Sequence, residues 1–176
     1  FGDASANHST ATGAVNAAIW ANHQNVPAPV LFVCEDNGFG ISVRTPHNWI
    51  HAAYGSRPGL AYFAGNGLDL DDAYDAAKRA VDYVRTRRRP AFLHLSVVRL
   101  LGHAGSDVEQ LYRTQQEIED SEALDPLVRT AKLLVDAGLL SPSDVMELYE
   151  GTRTRLSALA EEAVRRPRIT TAEQVM

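Results

Sequence analysis

Two polar clusters, each directly behind an apolar stretch, carry the groups best suited to chemistry. Gly2-Asp3-Ala4-Ser5 follows Phe1, and Glu35-Asp36-Asn37-Gly38 follows the unbroken apolar run of residues 30–34. Asp3 offers a carboxylate and Asn37 an amide oxygen. With a backbone carbonyl these form a hard oxygen set for a divalent cation of the magnesium type, leaving two or three positions for phosphate and water. Taken singly, each cluster reads as turn chemistry, Asn-Gly being a strong hairpin signal. At the ends of two strands separated by one helix they favour a shared site, because neighbouring parallel strands lie about 4.8 Å apart. The amides that open the intervening helix near Ser9 add hydrogen-bond donors and partial positive charge for the same phosphates. The chemistry read from these residues is a diphosphate held through magnesium.

A third cluster, residues 99–107, follows another β-rich run and contains Arg99, Gly102, His103 and Asp107. A lone histidine is more often structural than catalytic. One flanked by glycine behind a strand, with an arginine and a carboxylate nearby, is a better candidate. His47 and His51 are four apart, but no third metal ligand is close and Pro46 and Asn48 indicate loop. Cys34, inside the apolar run, reads as buried and inert. The arginines among residues 85–89 read as a solvated helix end, too narrow for a nucleic-acid face.

The elements that must position these groups follow from periodicity. Residues 9–23 carry Ala11, Ala14, Val15, Ala18 and Ile19 at helical spacing, with Ser9 or Thr10 as cap. Pro27 and Pro29 end that helix, and residues 30–34 read as a strand buried on both faces. Residues 45–67, punctuated by Pro46, Gly55, Pro58, Gly59, Gly65 and Gly67, read as loop with short helical turns. Residues 70–88 form a clear helix with Leu70, Ala73, Ala76 or Ala77, Ala80, Val81 and Val84 on one face, an acidic start and a basic end. Residues 91–98 read as a strand. Beyond Glu117 the pattern is helical: one helix opens at Asp125-Pro126 and stops at Gly138. Another opens at Ser141-Pro142 and carries Val145, Leu148, Tyr149, Leu156, Leu159, Ala160 and Ala163 on a face that must pack on something.

Gly2-Asp3-Ala4 followed by Glu35-Asp36-Asn37-Gly38-Phe39-Gly40-Ile41-Ser42 resembles the thiamine-diphosphate motif. It is most similar to the alpha subunit of the decarboxylating component of 2-oxo-acid dehydrogenases. The resemblance resumes from Gly102-His103 to Tyr112-Arg113 and covers most of residues 1–140. It implies magnesium held by Asp3, Asn37 and the carbonyl of Phe39, and a cofactor site that includes Gly2, Ala4, Ser5, Glu35, Ile41 and His103. It also implies a catalytic part for His103, at the diphosphate and in acyl transfer. Ala4 stands where the family has a second glycine, which tightens the approach to the diphosphate. Phe39 stands where tyrosine is common, and Ala104 where the family has a regulated phosphoserine. The implied reaction is oxidative decarboxylation of a 2-oxo acid with acyl transfer to a lipoyl group, branched-chain acids being favoured by Gly40-Ile41-Ser42. The implied partners are a beta subunit or fused beta region and a lipoyl-bearing acyltransferase. Alternatives are a non-catalytic fragment or assembly module of such a complex, a pyruvate- or acetoin-type dehydrogenase, and a transketolase-like enzyme, against which the His103 loop argues.

The expected fold is therefore α/β: the C-terminal part of a thiamine-diphosphate-binding parallel-sheet domain over residues 1–120. A helical extension over 121–166 and a tail or linker over 167–176 complete it. A start without Met suggests a piece of a longer protein, inactive alone because the family's activating glutamate lies in the beta region. A net charge of −5 over 176 residues with 45% hydrophobic content argues against nucleic-acid partners. No stretch is long and apolar enough for a membrane span, and no signal peptide is evident. One cysteine excludes an intrachain disulfide and fits a cytoplasmic setting.

Overall fold

The structure, a computed structural model, describes residues 1–175. The chain divides into two compact units, Phe1–Thr130 and Ala131–Met176. The first is a parallel sheet covered on both faces, as the α/β reading requires. Strands β1 (Leu31–Asp36), β5 (Ala91–Ser96) and β4 (Ala61–Asn66) lie side by side in the order β1-β5-β4. All pairings are parallel, with Leu31 and Ala61 both opposite Ala91. Gly2 bridges Glu35 in the same sense, so residues 1–2 extend the sheet beyond β1. The Glu35 amide donates to the Phe1 carbonyl at 2.9 Å, which brings the two polar clusters to one sheet edge.

Alternation along the strands divides two cores. Phe32, Cys34, Tyr62 and Phe92 face helix α1 (Ser9–His23) and helix α2 (Trp49–Tyr54), meeting Val15, Ile19, Ile50 and Tyr54. Tyr54 stacks on Phe92 with ring centroids 4.4 Å apart. Leu31, Val33, Phe63, Leu93 and Leu95 face helix α3 (Leu70–Arg87), whose Ala76, Ala77 and Ala80 permit close approach. Coverage of both faces explains why residues 30–34 carry no polar alternation.

Several expectations change in detail. Helix α1 spans the residues expected, but its cap is His8, whose Nδ1 accepts from the Thr10 amide at 3.3 Å, rather than Ser9 or Thr10. A 3₁₀ turn, Ala4–Asn7, joins the Asp3 corner to that helix. Strand β1 runs on through Glu35 and Asp36. The largest correction falls in residues 45–67, read as loop: they include strand β4 besides α2. Gly65 there is a packing residue, since a Cβ would lie 2.7 Å from the Ala76 methyl. Short strands β2 (Phe39–Gly40) and β3 (Val43–Arg44) form a hairpin, with its turn at Ile41-Ser42 rather than at Asn37-Gly38. Leu70, assigned to the buried face of α3, is exposed.

Helix α4 (Gln115–Glu122) has a Thr114–Glu117 capping box. The division between units falls in helix α5 (Pro126–Asp136). In the second unit, helix α6 (Pro142–Arg165) opens with the Ser141–Asp144 capping box that its sequence predicts. Its Leu148, Tyr149, Leu156 and Leu159 are more than half exposed, so the face expected to pack is open. A 3₁₀ turn at Ala172–Gln174 interrupts the expected unpatterned tail, whose Met176 lies outside the described residues. Among the described residues no helix is long and apolar enough to cross a membrane.

Candidate functional site

A cleft of about 1230 Å³ opens at the carboxyl end of β1. Of the residues singled out by sequence, Gly2, Ala4, Ser5, Asn37, Phe39, Ile41 and His103 line it. Glu35 does not: it lies in β1 with its side chain exposed away from the lining, because strand alternation turns it from the face that holds Cys34 and Asp36. Asp3 is wholly buried behind Gly2 and Ala4, which form part of the wall. His8, Thr10 and Arg99 also line the cleft.

The Asp3 carboxylate is the least ordinary group in the chain. One oxygen accepts a short hydrogen bond from the Thr45 hydroxyl. The other, Oδ1, is buried with no partner. Among the described residues no basic side chain pairs with Asp3. Its pKa is raised, first by burial and then by the Asp36 charge, while the Thr45 hydroxyl and the amides of Asp3 and Asn37 pull it down. A buried carboxylate with a bare oxygen and no counter-ion is costly unless a cation completes it. Thr45 ties the two polar clusters together: its hydroxyl donates to Asp3, and its amide donates to the Gly38 carbonyl at 3.0 Å. These donors, one carboxylate, one amide and nearby carbonyls, fit a hard divalent ion. No cluster of three His, Cys, Asp or Glu able to hold a metal exists among the described residues.

The Asn37 turn is built by its own side chains. Asp36 Oδ1 accepts from the Gly38 amide at 3.1 Å, and Asn37 Oδ1 accepts from the Phe39 amide at 3.0 Å. Gly38 has φ of 76°, which glycine adopts without strain. Gly40 is glycine for a packing reason: a Cβ there would sit 2.8 Å from the Ala4 methyl. The Ala4 methyl is therefore accommodated by the bare backbone facing it.

The loop after β5 is strapped to this hairpin. The Arg99 guanidinium donates to the Ile41 carbonyl and, at 2.6 Å, to the Tyr112 hydroxyl. It lies 5.2 Å from the Phe39 ring centre, and Arg44 and Arg113 approach the same ring at 4.8 and 5.5 Å. Asp107 accepts from the His103 amide and from the Tyr112 hydroxyl, each at 2.7 Å. The Tyr112 bond and then the His103 bond hold the Asp107 pKa below its ordinary value, so Asp107 stays ionised and shapes the loop that carries His103. Thr45 and the bridging part of Arg99 were not evident in the sequence. Thr45 lies 42 positions from Asp3, and only the return of the β2–β3 hairpin brings them together.

Fold and cleft define a parallel α/β ligand-binding unit in which polar groups gather at the strand ends. The chain belongs to the dehydrogenase E1 component family, whose model matches residues 1–171. It is similar to the pyruvate dehydrogenase E1 component subunit alpha of Zymomonas mobilis, 32% identical over 172 residues, covering 95% of this chain and 46% of that protein. The protein of that name from Rickettsia bellii is 27% identical over 157 residues, covering 87% and 46%. The testis-specific mitochondrial form from Homo sapiens is 28% identical over 173 residues, covering 95% and 42%. This chain spans somewhat less than half the length of these relatives.

Proposed function

We propose that this chain forms the magnesium- and diphosphate-holding half of a thiamine-diphosphate site in the alpha subunit of a 2-oxo-acid dehydrogenase. The observation that carries the reading is the buried, half-bare Asp3 carboxylate, tied through Thr45 to the Asn37 turn that lines a large cleft. Asp3 and the Asn37 amide oxygen would hold the ion, with the Phe39 carbonyl as third ligand. Gly2, Ala4 and Ser5 bring backbone close to the diphosphate, and the start of α1 offers its free amides to the same oxygens. His103, on the loop strapped by Arg99 and Asp107, would donate a hydrogen bond to the diphosphate and assist acyl transfer. When bound, thiamine diphosphate supplies the electron sink for decarboxylation; the protein supplies anchoring, orientation and electrostatics. A beta subunit or fused beta region and a lipoyl-bearing acyltransferase complete the assembly.

The substrate is a 2-oxo acid. Gly40-Ile41-Ser42 supports a branched-chain acid, whereas the names of the relatives support pyruvate. The test is carbon dioxide release by the full-length protein assembled with its partners, with and without thiamine diphosphate and magnesium. Pyruvate and 3-methyl-2-oxobutanoate are compared as substrates. Cofactor-dependent turnover of either is expected, and the preferred acid settles the substrate. Absence of turnover with both, at saturating cofactor, would overturn the reading.

A further inference from the structure

Beneath the Asn37 turn, three polar side chains cross the sheet on one face. His94 of β5 places Nε2 2.9 Å from Asp36 Oδ2, and its Nδ1 lies 2.6 Å from the Tyr62 hydroxyl of β4. The side chains of His94 and Asp36 are only 12% and 23% exposed. Register explains the alignment: Cys34, His94 and Ala64 lie opposite one another across the three strands. Asp36 is two residues beyond that row and Tyr62 two residues before it, so all point to one face and the contacts run diagonally.

The hydrogen-bond roles follow from the inventory of each group. A carboxylate oxygen accepts, so His94 Nε2 donates to Asp36, and Nδ1 then accepts from the Tyr62 hydroxyl. Burial first, then the neighbouring Cys34 and Asp36, push the Tyr62 hydroxyl up to about 12, which keeps it a donor. Asp36 spends its second oxygen on the Gly38 amide. The line from Tyr62 through His94 and Asp36 thus ends at the backbone of the turn that presents Asn37 and Phe39, with both Asp36 oxygens engaged.

We propose that His94 is a positioning residue for the cation-holding turn, acting through Asp36, with Tyr62 fixing its orientation. The proposal rests on the magnesium and thiamine-diphosphate reading above. It gives Asp36 a part distinct from its neighbour Asn37: Asp36 sets the turn, and Asn37 faces the ion.

The test is a magnesium titration of the full-length protein at saturating thiamine diphosphate, followed by isothermal calorimetry on His94→Gln and His94→Asn. Gln can place an amide N–H where Nε2 stands and reach Asp36; Asn ends near the Nδ1 position and cannot. His94→Asn is expected to weaken magnesium binding about ten-fold or more, as loss of supporting groups around metal ligands generally does. His94→Gln is expected to stay close to wild type, and Tyr62→Phe to fall between them. Far-UV circular dichroism checks that each variant is folded. Equal magnesium affinity in wild type and both His94 variants would overturn the proposal, as would equal loss in both. If wild type itself shows no magnesium-dependent cofactor binding, the underlying cofactor reading fails first, a result these variants do not mimic.

Discussion

Asp3→Asn separates what the Asp3 corner does for folding from what it does for binding. The Asp3 carboxylate is wholly buried, leaves Oδ1 without a partner and lies near a second carboxylate, Asp36. An asparagine has the same shape and no charge. Its NH₂ can donate to the Thr45 oxygen, and its carbonyl, being neutral, is less costly to bury than a bare carboxylate oxygen. An unsatisfied buried group of this kind costs about 1–3 kcal/mol, and more when charged. The variant should therefore be the more stable in EDTA. For a domain of this size the melting temperature should rise on the order of 5 °C. The sign with pH follows from the raised Asp3 pKa: the folded state binds that proton more tightly than the unfolded chain does. Wild-type stability from this group is thus present at low pH and lost as pH rises, and the advantage of asparagine is largest near neutrality and shrinks in acid. The assay is thermal melting in EDTA and again with magnesium and thiamine diphosphate, using the full-length protein. Wild type should be stabilised by the additions and the variant should not. A variant that melts lower than wild type in EDTA, yet keeps a full response to magnesium, would refute the reasoning.

Three further expectations follow from neighbouring contacts. Gly40→Ala puts a methyl 2.8 Å from the Ala4 methyl; it should cost about 1–3 kcal/mol by overpacking, read by chemical denaturation, and the double change Gly40→Ala with Ala4→Gly should recover most of it. Cys34 is fully buried, and burial first, then the charges of Asp36 and Asp3, push its thiol up to about 12. The buried thiol is shielded from solvent and stays protonated at pH 8, so reaction with a thiol reagent should proceed at the rate of unfolding. Rapid labelling of the folded protein would contradict the burial. Arg99→Lys removes the planar fork that joins Ile41 to Tyr112, and should expose residues 99–113 to limited proteolysis while far-UV circular dichroism is retained.

Much of this arrangement was legible because it is local. Helices α1, α3 and α6 announce themselves by spacing and by end chemistry, and Asp69 caps α3 with bonds to the amides of Asp71 and Asp72. Strand β4 was hidden because Gly65, the residue that breaks its pattern, is there to let Ala76 approach. The His8 cap of α1 is not legible in the residue types, because histidine seldom serves there, whereas serine and threonine often do. At the site, Asp3 and Asn37 stood out as polar residues behind apolar runs. Thr45 and His94 did not, because their roles depend on a hairpin return and on strand register rather than on neighbours in sequence. The resemblance implies Glu35 as part of the cofactor site because its motif includes it, but strand alternation turns its exposed side chain away from the cleft.

The most direct measurement is anomalous diffraction from crystals of the full-length protein grown with thiamine diphosphate and manganese in place of magnesium. One strong peak is expected, bonded to an Asp3 carboxylate oxygen, the Asn37 amide oxygen and the Phe39 carbonyl, with the remaining positions taken by phosphate and water. A bound cofactor whose metal sits elsewhere, or a peak with Asp3 still lacking a partner at Oδ1, would contradict the account.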